Sequence, residues 1–332
     1  MLKLIFSRVL QGVFVLLIIT ALCFALLAAA GGDALTALHD DPHLSEEAVN
    51  SLRHIYGLDK PLTVRYVRWL VGVARGDLGH SFFYQVAVES IVLPRLLNTL
   101  VLAATAMSLA LFVASILGTL AAVREGKWLD RSCEMIILFA ASTPRIVLAF
   151  AVLAVAARSS FFAIGVAPTG STANKTPATI LPPALVLAVP LVALFLAQIR
   201  DGLRSALSRE YVQVARAKGL SESVVILRHA SRDALNPLIT IFGYSLGGVF
   251  SGSVIVETVF GWDGLGQLSV VAVRSRDIPL LMGVVLATAT AVLAGNLIAD
   301  ILLFANNPEL RQRRRGEVKP ELAVNPNFTQ PL

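Results

Sequence analysis

Six runs of about 20 apolar residues constrain this chain more than any other feature. A helix of that length crosses the hydrocarbon core of a bilayer, and inside lipid every backbone N–H and C=O has to be satisfied within the helix itself. The runs lie at about 9–30, 96–123, 133–157, 180–199, 238–259 and 281–304. Composition agrees. Of 332 residues, 56% are hydrophobic and 15% charged, against about 45–50% and about 25% in soluble domains. The expected fold class is all-α, a polytopic membrane protein. Lys3 and Arg8 precede the first run, as they would in a secretory signal. The run is too long for a signal's apolar core and has no obvious cleavage site, so we read it as a retained anchor.

Positive charge sets the expected orientation, because short cytosolic loops collect Lys and Arg. With the N-terminus inside, the inner segments hold Lys3 and Arg8, then Arg124, Lys127 and Arg131, then Arg200 through Arg232, and finally Arg311 through Lys319. The short outer loops hold only Arg158 and Lys175, and Arg274 and Arg276. Both termini are expected in the cytosol. The organisation expected is an N-terminal helix over 1–30, an extracytoplasmic insert over 31–95, a membrane core over 96–305 with a cytosolic loop at 200–237, and a cytosolic tail over 306–332. The net charge of +6 is thus explained by topology, and nucleic acid is not expected as a partner. Cys23 sits in the first run and Cys133 at the start of the third, so no disulfide is expected. The five histidines are scattered, and no spacing resembles a metal site.

Within the runs, Gly243, Gly247, Gly248 and Gly252 predict close helix packing. Pro144, Pro182, Pro183 and Pro190 are expected to interrupt the third and fourth spans. The spans read as almost free of acids, Asp300 near the inner edge apart. Arg145 follows Pro144 about midway along the third span, where a cation is costly and faces protein or water. It either snorkels or pairs structurally, or it lines a cavity that favours a carboxylate. Ser142, Pro144 and Arg145 are the candidate pathway residues.

The segment 31–95 is too polar to cross. It carries six basic and eight acidic residues. Residues 44–56, LSEEAVNSLRHIY, predict a helix with Ser45 as N-cap, stopped by Gly57. Residues 66–74, YVRWLVGVA, are apolar and aromatic enough to lie on the membrane surface or the bundle, and Gly76, Asp77, Leu78 and Gly79 predict a turn. Such a segment caps the bundle, docks an external partner, or does both.

Residues 209–237, REYVQVARAKGLSESVVILRHASRDALNP, form a polar, basic insert between two apolar spans. On a helix Tyr211, Val214, Ala215 and Lys218 share a face, and Arg209, Gln213 and Arg216 lie opposite. So short a helix needs a groove to lie in. Gly219 is placed to end it in the left-handed conformation. The plain alternative is a solvated loop helix whose charges only obey topology. The defined stop and the small-residue face argue against that.

These pieces together resemble the membrane subunits of ABC importers, in particular the dipeptide/oligopeptide/nickel permease group. The similarity runs nearly end to end. It is carried by LKLIFSRVLQGVFVLLIIT at the start, LSEEAVNSLRHIYGLDKPLTVRYVRWLVGVARGDLGHSF, STPRIVLAF and GVAPTG. It continues through EYVQVARAKGLSESVVILRHASRDALNPLIT, GGVFSGSVIVETVFGWDGLGQL, RDIPLLMGVVL and ADILLFANNPELR. ARAKGLS, and GSVIVETVF followed by GLG, are its most specific parts. The resemblance implies six helices of the type I importer kind in a bacterial cytoplasmic (inner) membrane. It implies a coupling helix that seats in a cleft of a cytosolic ATPase through Glu210, Tyr211, Val214, Ala215, Arg216, Ala217, Lys218, Gly219 and Leu220. The implied partners are a second homologous permease, two ATPase subunits that bind ATP and magnesium, an external substrate-binding protein, and lipid. The chain has no G-x-x-x-x-G-K-[ST] pattern, so ATP chemistry is expected on other polypeptides and no cofactor in this one. Di- or oligopeptides are the implied cargo, with glutathione or nickel complexes as alternatives. A stand-alone secondary transporter would call for inverted repeats and buried carboxylates, and an intramembrane enzyme for a paired nucleophile and base or metal ligands. Neither pattern is evident.

Overall fold

The computed structural model describes residues 2–29, 60–159 and 176–306. The expected helix at 44–56 and the loop at 165–170 lie outside them. Regular structure among the described residues is helical, with one isolated antiparallel bridge between His80 and Ala87. Five helices are long and apolar enough to cross a membrane. These are α1 (Leu2–Ala29), α3 (Val88–Val123), α6 (Pro177–Leu207), α8 (Ser231–Phe260) and α10 (Ile278–Asn306). The helix α3 begins at Val88 rather than near Leu96, because its first two turns pack on α10 and lie at the edge of the apolar run.

The third span departs most from expectation. It is two helices, α4 (Trp128–Ser142) and α5 (Arg145–Arg158), bent by 103° at the intervening residues. Pro144 has no N–H to continue the helix and pushes the preceding residue into an extended conformation. Thr143 is extended, with ψ 122°. Its hydroxyl and that of Ser142 both donate to the Phe139 carbonyl, closing the end of α4. The prolines of α6 act differently from expectation, because the helix runs unbroken through Pro182, Pro183 and Pro190. The first two lie close to its start, and packing on α3 and α8 holds the rest.

The pair α4 and α5 makes one crossing. Asp130 near the start of α4 binds Arg200 and Arg204 near the end of α6, so those two ends share one face of the bundle. The start of α6 lies at the other face, and the chain between has to pass from one to the other. The described residues therefore make six spans.

At the centre, α3 and α6 pack along their lengths. Ala103, Ala106, Ala110, Ala114 and Ala121 give α3 a slim face against Leu187, Leu191, Phe195 and Ile199 of α6. Gly118 makes the closest approach: a Cβ there would stand 2.9 Å from Ile199 Cγ2. Next to this pair, α8 meshes with α10. Gly243 lies against Ala299, and Gly295 receives the Leu246 side chain. On the far side of α10 lies α1, tied by an ion pair from Arg8 to Asp300 at 2.8 Å. Its outward residues, among them Phe6, Leu10, Phe14, Leu22 and Leu26, are apolar and exposed, as a lipid-facing helix requires.

Two short helices complete the end opposite Arg8. Helix α2 (Leu62–Ala74) lies on α1, where the Tyr66 hydroxyl meets the Thr20 hydroxyl at 3.0 Å and donates to the Leu17 carbonyl. The expected turn follows it, with the Asp77 N–H on the Gly72 carbonyl and the Gly79 N–H on Asp77 Oδ1. Helix α9 (Leu265–Arg274) tucks between α8 and α10.

The spans are not free of acids. Glu257 of α8 is fully buried. Its Oε1 accepts the Thr99 hydroxyl at 2.7 Å and its Oε2 the Gln267 N–H at 3.0 Å, while the Leu265 N–H donates to Thr99 Oγ1. The carboxylate and hydroxyl thus satisfy orphan donors at the start of α9, where the helix dipole favours negative charge. Gly264 and Gly266 leave the room: a Cβ on either would come within 2.8 Å of the carboxylate. Asp277 does the same for α10, accepting from Leu280 N–H, Ser81 hydroxyl and Phe83 N–H.

Candidate coupling surface and pathway wall

The basic insert folds as a short helix on its own footing. Helix α7 (Glu210–Ala217) follows α6 almost directly. A turn at Gly219, a brief helical stretch at Glu222–Val224 and a wide π-helical stretch at Val225–Ala230 then lead into α8. The footing is apolar: Val212, Ala215 and Val225 are buried together against Leu207. This corrects the expected face. Ala215 turns toward the protein with Val212, a residue the helical wheel did not single out, and leaves Tyr211, Val214 and Lys218 outward. Tyr211 is 38% and Val214 53% exposed. Glu210, Arg216, Ala217, Lys218, Gly219 and Leu220 are exposed as well.

Gly219 stops α7 as expected. Its φ is +77°, a conformation costly for residues with a Cβ. Its N–H donates to the Arg216 carbonyl at 2.9 Å and the Leu220 N–H to the Ala215 carbonyl at 3.4 Å. This is the double bond pattern of a Schellman stop. A local ion pair closes the turn: Arg216 Nη2 and Nε donate to Glu222 Oε1 at 2.6 Å and Oε2 at 3.2 Å. The hydrogen bond from Arg216 holds the Glu222 carboxyl below its ordinary value, and Glu222 raises that of Arg216. Both groups are about half exposed, so water screens most of that pairing.

The base of this surface is stiffened by charge. Arg200 Nε meets Asp130 Oδ1 at 2.7 Å, Arg204 binds the same oxygen, and the Gly126 N–H donates to Asp130 Oδ2 at 2.9 Å. These bonds tie the start of α4 to the end of α6, the helix from which α7 follows.

Ser142, Pro144 and Arg145 meet at the break of the third span. Ser142 and Pro144 are exposed, and Arg145 opens α5 half-buried. Its guanidinium lies over the glycines of α8: a Cβ on Gly252 would stand 2.8 Å from Nη1, and one on Gly248 3.9 Å from Nη2. Those glycines thus serve Arg145, while Gly243 serves the helix packing the sequence suggested. Among the described residues, no carboxylate forms an ion pair with Arg145. The outward face of α8 beside it is Thr240, Tyr244, Gly248, Ser251, Ile255 and Thr258. Tyr244 is 80% exposed. This hydroxyl-bearing stripe contrasts with the hydrocarbon face of α1, and no sequence signal short of knowing which side of α8 is packed would have found it.

A helical bundle of this kind, with six spans among the described residues and a short helix at one end, defines the class: a multi-pass membrane protein. The chain belongs to the family described as binding-protein-dependent transport system inner membrane component, which it matches over residues 110–312, with the N-terminal component of the same systems over residues 1–103. It is a membrane permease subunit of an ABC importer and works with other components of such a transporter. It is 33% identical over 315 residues to an oligopeptide transport system permease protein of Bacillus subtilis, covering 92% of this chain and 98% of the relative. It is 32% identical over 321 residues to a dipeptide transport system permease protein of Escherichia coli K12, covering 89% and 95%. A glutathione transport system permease protein of Salmonella paratyphi A is 32% identical over 313 residues, covering 94% and 100%.

Proposed function

We propose that this chain forms half of the pathway of an importer for di- or oligopeptides, and that α7 is the handle through which cytosolic ATPases move it. Support comes from one observation above all. A short helix is fixed to the bundle by Val212 and Ala215 while Tyr211, Val214 and Leu220 stay outside as an apolar seat. In the proposed arrangement both termini and α7 face the cytosol, while α2, α9 and the segment 31–95 face outward. A second homologous permease faces the α8 stripe across the path, two ATPases hold ATP and magnesium, and an external binding protein delivers the cargo. This chain supplies no ATPase site. Closure of the ATPases pushes α7 against the Asp130–Arg200–Arg204 junction and rocks α6 and α8 together.

The cargo reading rests on the peptide-handling relatives and on the wall. A hydroxyl stripe with one guanidinium, Arg145, suits a water-filled path with a single place for a carboxylate. Ser142 and Pro144 shape the bend that puts Arg145 there. A nickel-complex importer is the second reading, through the family alone. The deciding experiment is uptake by the complete complex, comparing a free-acid dipeptide with its C-terminal amide and with a nickel complex. Preference for the free acid, lost in Arg145→Ala, is the expected result. Nickel uptake without peptide uptake would overturn the cargo assignment.

A further inference from the structure

The basic insert reaches the bundle through the start of α8, and that start lies between two weak points. Before it runs the π-helical stretch Val225–Ala230. After it stands Pro237, inside the helix and without an N–H for the carbonyl one turn back. Helices bend at such points. The piece between them, residues 231–236, is ordinary helix, and it is held on two sides. Ala234 packs on α6, where a Cβ on Gly202 would stand 3.4 Å from its Cα. Asn236 faces α10, where Asn306 Nδ2 donates to its Oδ1 at 2.7 Å. The π-helical stretch is anchored at both ends, Val225 in the footing of α7 and Ala230 in the central core.

The asparagine pair is the last layer of a regular seam. Along α10, Val292, Ala299 and Asn306 recur every seven residues. In antiparallel order they face Gly247, Gly243 and Asn236 of α8. A Cβ on Gly243 would stand 2.6 Å from that of Ala299, and one on Gly247 3.8 Å from Val292 Cγ1. Between these layers Gly295 receives Leu246. A seven-residue repeat keeps one face on the partner helix. Small residues let the backbones approach, and an asparagine in such a repeat fixes its register at some cost in stability. Six residues before Asn306, Asp300 takes the ion pair from Arg8 of α1 at 2.8 Å. By chain connection α10 joins the insert only through α9 and the far end of α8. At the inner edge, these side chains are a direct route from the insert to α10 and α1.

We propose that Asn236 and Asn306 are positioning residues of the transport cycle. They key the α8–α10 seam, so that a movement of α7 carries α10 and, through Asp300 and Arg8, α1. Without the key the movement is absorbed by bending at Val225–Ala230 and Pro237. This role rests on α7 being the handle, and it makes α1, α8 and α10 one moving body.

The test uses the complete transporter, with binding protein and ATPases, in sealed vesicles. Asn236→Leu and Asn306→Leu together replace the amide layer by an apolar one. That double variant should assemble, melt at the wild-type temperature or higher, still hydrolyse ATP, and take up roughly five- to tenfold less dipeptide per ATP. Asn236→Asp, which keeps the acceptor for Asn306 Nδ2, should retain most of the uptake. Amide hydrogen exchange is the second readout. Residues 299–306 should change protection on ATP addition in the wild type and not in the double variant, while residues 210–217 change in both. Wild-type uptake per ATP in the double variant, or an ATP response at 299–306 that survives in it, would overturn the role. So would an uptake loss matched by a drop in melting temperature, since that makes the pair structural only. Val214→Glu, measured alongside, separates key from handle. Uncoupling by Val214→Glu with full coupling in the leucine variant rejects the key alone; full coupling in both rejects the handle and the key with it.

Discussion

A graded series at Gly219 tests how α7 is held. The residue sits at φ +77°, and a Cβ placed there meets nothing within 4 Å. Substitution therefore costs backbone energy alone. Alanine in the left-handed region loses about 1–2 kcal/mol, which shifts the local equilibrium away from the stopped helix by roughly 5–30-fold. Asparagine tolerates that region and should lose only a few tenths of a kcal/mol. Proline cannot reach a positive φ and lacks the N–H that meets the Arg216 carbonyl at 2.9 Å, so the stop is lost at a cost of about 3 kcal/mol or more. The readout is uptake per ATP hydrolysed by the reconstituted complex, beside amide hydrogen exchange at Leu220. The expected order is Gly, then Asn, then Ala several-fold lower, with Pro uncoupled. Thermal unfolding of the membrane bundle should stay unchanged throughout. Wild-type coupling in Gly219→Pro, or equal loss in Asn and Pro variants, would refute the reasoning.

Four further outcomes follow from the same geometry. Glu257→Gln replaces an acceptor-only group by one whose NH2 confronts the donors of α9, and should lower stability of the purified chain by about 2–3 kcal/mol in a thermal melt. Asp277→Ala removes the N-cap of α10 and the anchor of Ser81 and Phe83, costing about 2 kcal/mol by the same measurement. Arg145→Ala should reduce free-acid peptide uptake about tenfold while basal ATPase activity of the complex is unchanged. The Glu222 pairing lowers that carboxyl's pKa, so its contribution is present above the ordinary glutamate range and fades only as pH falls through the lowered value. Arg216 stays charged throughout. Coupling should thus be flat between about pH 6 and 8 as far as this pair is concerned, and Glu222→Gln should change α7 exchange protection by about 0.5 kcal/mol or less.

The sequence was most legible where one residue type dictates one outcome. Apolar length marked the spans, and Gly219 marked the end of α7, because few other residues accept its φ. It was less legible where the outcome depends on a distant partner. Pro144 signalled a disturbance, but so did Pro190, and only Pro144 breaks its helix: two hydroxyls cap the end of α4 beside it, and α6 is held along its length by α3. Glu257 was passed over inside an apolar run because its partners, Thr99 and the start of α9, lie elsewhere in the chain. The pattern of Gly264 and Gly266 flanking Leu265 was the available clue, since paired small residues at the start of a helix leave room for something close. The face of α7 was offset because periodicity gives faces without saying which meets the protein. Val212 and Ala215 settle that only once Val225 and Leu207 are in place. The segment 31–59 and the tail beyond 306 lie outside the described residues, and the expectations for them stand as sequence readings.

The central claim is that this chain carries cargo only when an external ATPase grips α7. It is tested most directly by reconstituting the permease pair in sealed vesicles with external binding protein and a labelled dipeptide, with and without the ATPase subunits and ATP. The account predicts accumulation only when ATPases and ATP are both present, and its loss when Val214→Glu places a charge on the apolar seat. Sustained dipeptide flux through the permeases alone, or undiminished accumulation with Val214→Glu, would contradict it.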